Sequence, residues 1–144
     1  MKAVAEILKA KTHVSIISVN PETTVLEAIT LMTDTDISAL MVIENGQVAG
    51  IVTERDYVRR VARLQLVPDV TTVGEVMTRN LITVTPKDHT RFCMQLMIER
   101  NLRHLPVLED GKLVGLLSIR DLVKDVVAEQ EGLINHLEQY IRGE

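Results

Sequence analysis

Two seven-residue stretches of this chain share one pattern: GIVTERD at residues 50–56 and GLLSIRD at residues 115–121. Each begins with glycine, continues through two apolar residues and a hydroxyl residue, and ends in Arg-Asp. When the chain is shifted by the 65 positions that separate them, residues 17–58 align without a gap on residues 82–123, with about 13 of 42 residues identical. The sequence therefore predicts two copies of one structural unit.

Each copy predicts the element order β-α-β-β-α. The first copy has predicted strands at residues 16–19, 39–43 and 48–52 and helices at 24–34 and 54–64. The second has strands at 81–84, 105–108 and 113–117, a helix capped by Asp88 that ends near residue 100, and a helix at 119–128. Asn45-Gly46 and Asp110-Gly111 are typical hairpin turns. The predicted fold is α+β, with two pseudo-symmetric units packed into one module.

Further helices are predicted around the repeats. Residues 3–11 and 72–77 form two of them, the second opened by Thr72 and Glu75. The first unit is predicted to span residues 5–65 and the second 73–128. A helical tail at 129–144 follows, interrupted by Gly132, and its apolar stripe packs on its own body, on a sister chain or in a groove of another protein.

The composition narrows the class of protein. Of the 144 residues, 46% are hydrophobic and 25% are charged, which is typical of a soluble globular protein. A net charge of −4 and an aromatic content of 2% disfavour a basic nucleic-acid surface and an RNA-stacking sheet. One cysteine excludes an intrachain disulfide, and the uncharged stretches are too short to cross a bilayer. We expect a cytoplasmic protein that binds neither nucleic acid nor membrane.

The junction between the last strand and the last helix of each repeat has two interpretations. Thr53 with Asp56, and Ser118 with Asp121, fit a capping box, in which a hydroxyl and an acid close the first helical turn. The same carboxylate, in a first turn with one exposed face, can also accept two hydrogen bonds from a ribose diol. Gly50 and Gly115 leave room for a group to approach the backbone closely.

These features resemble the tandem cystathionine-β-synthase (CBS) domain pair. The resemblance rests on the repeated strand that ends Gly-apolar-apolar-Thr/Ser-x-x-Asp, on Val-Met-Thr at residues 76–78 and on Leu-Pro-Val at residues 105–107. It covers residues 5–128. It implies two clefts between the units, each taking an adenosine ligand such as AMP, ADP, ATP, NAD or S-adenosylmethionine.

The resemblance also implies roles for individual residues. Asp56 and Asp121 would hold ribose hydroxyls with help from Thr53 and Ser118, and Ile17 and Ile82 would contact adenine. Arg103 and His104 occupy the position of a phosphate-binding basic pair, whereas the first repeat has Ser38 and Ala39 there. We therefore expect the second site to be better equipped for phosphate. Arg55 and Arg120 come directly before Asp56 and Asp121, and each faces either the ligand or solvent.

Other chemistry has little support in the sequence. His89 and Cys93 are one helical turn apart, but Cys93 aligns with Ala28, which favours a core position over a metal ligand. His13 and His136 lack a partner at ligand spacing, and no nucleophile–base set is present. We expect no metal and no catalytic cofactor.

The function that these features predict is a non-catalytic sensor of adenosine nucleotides that signals energy or redox state to an effector protein. The alternative is an interaction scaffold with vestigial clefts. We call the last helix of each repeat its closing helix. A homodimer is predicted through the apolar faces of the two closing helices, which are formed by Val58, Val61, Ala62, Val123, Val126 and Val127.

Overall fold

Each repeat contains an antiparallel hairpin at the predicted position. The computed structural model describes residues 2–11 and 16–143. Strands β2 (Ala39–Glu44) and β3 (Gln47–Thr53) pair through Asn45-Gly46, and β4 (His104–Glu109) and β5 (Lys112–Ser118) pair through Asp110-Gly111. All four turn residues have φ between 53° and 78°, which is the geometry that Asn-Gly and Asp-Gly favour. The predicted hairpins and the α+β class are confirmed.

The first strand of each repeat is shorter than predicted. Strand β1 comprises only Ser18–Val19 and pairs in parallel with β2, which gives the sheet order β1-β2-β3. Its counterpart in the second repeat is a single parallel bridge from Val84 to Val107. Pro106 has no N–H with which to extend this ladder toward residues before Val84.

The helices follow in chain order. They are α1 (Val4–Ala10), α2 (Val25–Thr35), α3 (Glu54–Asp56), α4 (Val73–Val76), α5 (Thr90–Arg100) and α6 (Ile119–Arg142). The hydroxyl of Thr24 accepts the Glu27 N–H at 3.1 Å, and Thr72 with Glu75 forms the predicted capping box. The helix predicted at 54–64 is instead the short α3 followed directly by a π-helical turn, Tyr57–Ala62. Val61 in that turn is fully buried, so the prediction that it lies on an exposed dimer face is wrong.

Two further helix predictions are wrong. His89 and not Asp88 stands at the N-cap position of α5 and makes no side-chain capping hydrogen bond, while the Asp88 carboxylate accepts the Thr85 N–H at 2.7 Å in the preceding turn. Gly132 does not interrupt the tail, since α6 runs unbroken for 24 residues to a left-handed Gly143. A single interior glycine costs a helix about 1 kcal/mol, far less than an interior proline, and does not by itself end a helix.

The described residues fall into two compact units. One contains the described residues from 16 to 82, and the other contains residues 2–11 together with residues 83–143. The core of the first unit comprises Val25, Ala28, Met32, Leu40, Val42, Val52, Val61, Val73, Val76 and Met77. The second unit buries Leu105, Leu117 and Leu122 completely.

Helix α1 belongs to the unit of the second repeat, although it precedes the first repeat in the chain. The N–H groups of Val4 and Ala5 donate to the carbonyls of Asp88 and Pro86 at 2.8 and 3.0 Å. Val4 and Ile7 are buried. Across residues 2–11 and 16–143, no helix has both the length and the apolar character that a membrane span requires.

Candidate functional site

In the first repeat, the predicted junction forms a complete capping box. Strand β3 ends at Thr53, whose hydroxyl oxygen accepts the Asp56 N–H at 3.2 Å. In return, Oδ2 of Asp56 accepts the Thr53 N–H at 2.9 Å and lies 3.2 Å from the Thr53 hydroxyl. The junction therefore fixes the carboxylate one turn into the helix, at the end of the sheet.

The second carboxylate oxygen of Asp56 also has protein partners. Oδ1 accepts a hydrogen bond from the Thr78 hydroxyl at 3.2 Å and lies 3.9 Å from Nε of Arg60. Arg60 itself donates to the carbonyls of Val76 and Met77 at 2.7 and 2.9 Å. Asp56 is only 7% exposed. A ribose at this carboxylate would have to replace at least one of the hydroxyl donors.

The glycines at the start of the two stretches allow other segments of the same chain to pack closely against them. A Cβ on Gly50 would lie 2.6 Å from the Thr78 carbonyl oxygen, because Ile51 and Thr78 exchange two backbone hydrogen bonds there. A Cβ on Gly115 would lie 2.7 Å from the side chain of Leu8. The close approach predicted at these glycines is thus made by a backbone segment and by a side chain of α1.

In the second repeat, a lysine holds the equivalent acid. The Ser118 hydroxyl accepts the Asp121 N–H at 3.2 Å, and Oδ2 of Asp121 accepts the Ser118 N–H at 2.8 Å. Nζ of Lys11 lies 3.0 Å from the same Oδ2 and also donates to the Leu116 carbonyl at 2.8 Å. The side chains of Lys11 and Asp121 are 22% and 14% exposed, so this ion pair is largely shielded from solvent.

The predicted phosphate-binding pair lies at the same end of the hairpin. His104 pairs with Ser118 across β4 and β5, and the carbonyl of Arg103 accepts the Ile119 N–H at 2.9 Å. The first repeat has the same backbone arrangement without the charge, since the Ser38 carbonyl accepts the Glu54 N–H at 3.1 Å. The second repeat therefore has Lys11 on its acid and Arg103 and His104 at the adjoining hairpin end, where the first repeat has Ser38 and Ala39.

The remaining predicted site residues are two isoleucines and two arginines. Ile17 is half-buried and packs against the core of its unit, and Ile82 is half-buried at the end of that unit. Arg55 is half-buried in the first turn of α3, whereas Arg120 is exposed in the first turn of α6. Their roles toward a ligand stay predictions.

The sequence pattern of the CBS domain matches this chain twice, at residues 4–63 and at residues 73–128. The chain belongs to the CBS-domain family. The two strand–helix junctions described above are thus the equivalent junctions of its two CBS repeats.

Curated relatives agree with this assignment. The chain is 40% identical over 125 residues to the mitochondrial CBS domain-containing protein CBSX3 of Arabidopsis thaliana, a match that covers 83% of this chain and 61% of that protein. It is 31% identical over 113 residues to the CBS domain-containing protein YhcV of Bacillus subtilis, covering 78% of this chain and 80% of YhcV. The chain spans 22% of the Arabidopsis protein CBSCBSPB2.

Solved structures share the fold. A protein with CBS domains from Burkholderia ambifaria is 47% identical with a TM-score of 0.86, covering 90% of this chain and 96% of that one. ATU1752 from Agrobacterium tumefaciens is 33% identical with a TM-score of 0.81, covering 86% and 98%. The CBS domain pair of MJ0100, solved with 5-methylthioadenosine and S-adenosyl-L-methionine, is 23% identical with a TM-score of 0.77 over 90% of this chain and 98% of that one.

Two residues at the CBS junctions were not predicted from the sequence. Lys11 and Thr78 each contact a junction acid from a segment far away in sequence. The repeat gave no signal for Lys11, because the 65-residue offset aligns it with Val76. Thr78 stood in the Val-Met-Thr stretch, but its hydroxyl had no assigned role there.

Substituting Lys11→Met should lower the free energy of unfolding by about 1–2 kcal/mol, between the values of exposed and buried ion pairs. The loss arises because Asp121 stays shielded without its cation. Chemical denaturation measures it, and Lys9→Met, at an exposed lysine in the last turn of α1 just before Lys11, should stay within about 0.5 kcal/mol of the wild type. In an Asp121→Asn background the Lys11→Met effect should nearly vanish. An Lys11→Met variant as stable as the wild type would show that the pair contributes nothing.

Cys93 lies in the core of the unit that contains the second repeat, as its alignment with Ala28 predicted. It is fully buried, and desolvation, with the nearby Asp88 carboxylate, raises the pKa of its thiol to about 11. Within the described residues, no three His, Cys, Asp or Glu side chains are grouped to hold a metal. His13 lies outside the described residues.

The Cys93 thiol should be unreactive in the folded protein. With a pKa of about 11, roughly one thiol in a thousand is ionised near pH 8. A thiol-reactive chromophore should therefore label the native chain far more slowly than the chain unfolded in guanidinium, where one equivalent should react at once. Rapid stoichiometric labelling of the native protein would place the thiol at the surface.

Proposed function

We propose that this chain is a non-catalytic regulatory module that binds adenosine nucleotides at its strand–helix junctions. The observation that supports the proposal best is that both repeats present a hydroxyl and a carboxylate in the same geometry, one turn into the closing helix. A carboxylate accepts both hydroxyls of a ribose, and the Thr53 and Ser118 hydroxyls can rotate toward a ligand. The MJ0100 domain pair, solved with two adenosine compounds, supports this ligand class.

The second repeat is the better site for a phosphorylated ligand. Lys11 contacts Asp121, and Arg103 and His104 stand at the end of the hairpin that carries Ser118, whereas Ser38 and Ala39 stand at the last two of these positions in the other repeat. A guanidinium binds phosphate oxygens in a bidentate manner. We therefore propose AMP, ADP, ATP or NAD as the ligand of this site, held through ribose and phosphate together.

Regulation by such a module is a population shift. A nucleotide that binds one conformation better than another changes their ratio by no more than its difference in affinity. An effector protein that recognises one conformation would then report the energy or redox state of the cytoplasm, the compartment that we propose. The module itself performs no chemistry in this scheme.

We propose that the chain acts as a homodimer. Of the six residues predicted for its interface, Val58, Val123 and Val127 are exposed apolar side chains. Ala62 is exposed and Val126 is half-buried, while Val61 is not available. A monomeric mass at micromolar concentration would contradict this.

The alternative function, a scaffold without a ligand, is favoured by one observation in the first repeat. Both oxygens of Asp56 already have protein donors, and the residue is 7% exposed. If the second repeat is equally closed in solution, neither site binds a nucleotide.

Mass spectrometry of the denatured protein, followed by calorimetric titration, separates the two functions. Co-purified adenosine compound, or heat on titration with AMP, ATP or NAD, is the result expected of a sensor. The scaffold predicts no bound compound and no heat with any of the three. Adenosine serves as the control ligand, and its weaker binding would show the contribution of phosphate.

A further inference from the structure

Helix α6 presents an apolar face that continues through its second half and that the described residues leave uncovered. Val123, Val127, Ile134, Leu137 and Ile141 are each between 47% and 82% exposed. With Gln130 they form a run at alternating spacings of four and three residues. We call these six residues the α6 seam. A 3.5-residue period keeps a stripe on one side of a helix that is wound around another helix.

This part of the helix needs a partner to be stable. Every described residue from Glu129 to Gly143 is exposed, so the last 14 residues of α6 gain nothing from burial in their own unit. Isolated helices of this length are marginal in water, and Gly132 costs about 1 kcal/mol more. Covering the seam would supply the missing stabilisation, since amphipathic helices owe most of their stability to packing.

We propose that a second copy of this chain covers the seam, with the two α6 helices antiparallel. In this alignment, centred on residue 132, Val123 packs against Ile141 of the other copy and Val127 against Leu137. The flanking positions decide the direction. On one side of the seam the helix has Val126, Leu133 and Tyr140, and on the other side Lys124, Glu131 and Glu138.

An antiparallel pair brings each of these rows against its own counterpart. The apolar row then meets an apolar row, and Lys124 lies opposite Glu138 of the other copy, at both ends of the pair. Glu131 meets its own copy at the centre, the one like-charge contact of the row. A parallel pair would instead press Glu131 and Glu138 against the apolar row, which leaves two carboxylates per chain over apolar surface.

This inference rests on the proposed homodimer and not on nucleotide binding. It deepens that proposal because it assigns the interface to a stretch of α6 beyond the predicted face at residues 123–127.

Sedimentation equilibrium of the full chain tests it with four variants. Leu137→Lys should raise the dimer dissociation constant at least 10-fold, and a cooperative unfolding transition should show that the two units of the monomer still fold. Lys124→Glu should raise the constant about 5- to 10-fold, because two attractive pairs become repulsive. Combining Lys124→Glu with Glu138→Lys should restore it. Lys112→Glu, an exposed lysine on β5, is the matched control and should have no effect.

Each result bears on a different claim. A monomeric wild type overturns both the homodimer and the seam. A dimer that Leu137→Lys leaves unchanged overturns the seam while the homodimer stands. A double charge reversal that fails to restore the dimer overturns the antiparallel pairing. Calorimetric titration of the Leu137→Lys variant with AMP tests the nucleotide proposal independently of the seam.

Discussion

Asp121→Ala is expected to weaken binding of an adenosine nucleotide by about 10- to 150-fold. Loss of a hydrogen bond to a charged group costs about 1.5–3 kcal/mol, which corresponds to that range of affinity. The effect should be larger than that of Asp56→Ala if the cations around the second junction make it the principal site. Calorimetric titration with AMP measures both variants.

The control for this experiment is Asp88→Ala. Asp88 lies in the same compact unit and its carboxylate also accepts a backbone N–H, from Thr85. Removing it therefore imposes a similar loss of a local cap without touching the junction, and affinity should stay within about twofold. Asp121→Asn, which keeps an oxygen acceptor for Ser118, serves if the alanine variant folds poorly. Equal competition by 2′,3′-dideoxy analogues and natural nucleotides would show that these acids do not hold the sugar.

Leu105→Ala is expected to lower the free energy of unfolding by about 2–5 kcal/mol. Leu105 is fully buried and lies opposite Leu117, also fully buried, on the hairpin that ends at Ser118. Truncating a core leucine removes its transfer free energy and leaves a cavity that its neighbours only partly fill.

Denaturant unfolding measures the loss, with Val114→Ala as the control. Val114 is on the same hairpin but is 43% exposed, so its truncation should cost less than about 1 kcal/mol. Equal losses for the two variants would mean that β4 does not lie in the core. Because the junction stays intact in Leu105→Ala, AMP binding by the folded protein should be close to that of the wild type.

The sequence predicted those features that depend on nearby residues. Asn45-Gly46 and Asp110-Gly111 specify their turns through φ angles that few other residue pairs adopt. Thr53 and Asp56 are three residues apart, as are Ser118 and Asp121, so the capping boxes follow from spacing. The 65-residue repeat revealed the family. The predicted break at Gly132 is wrong because a single interior glycine costs a helix only about 1 kcal/mol.

The surroundings of the two acids depend on contacts between segments that are distant in sequence. Lys11 reaches Asp121 across 110 positions of sequence, and Thr78 reaches Asp56 across 22. No periodicity or turn preference encodes such contacts, because they depend on where α1 and the segment after α4 dock on a finished hairpin. The repeats are alike in sequence at their junctions. The segments that fold onto them differ: one brings the Thr78 hydroxyl to Asp56, and the other brings the Lys11 ammonium group to Asp121.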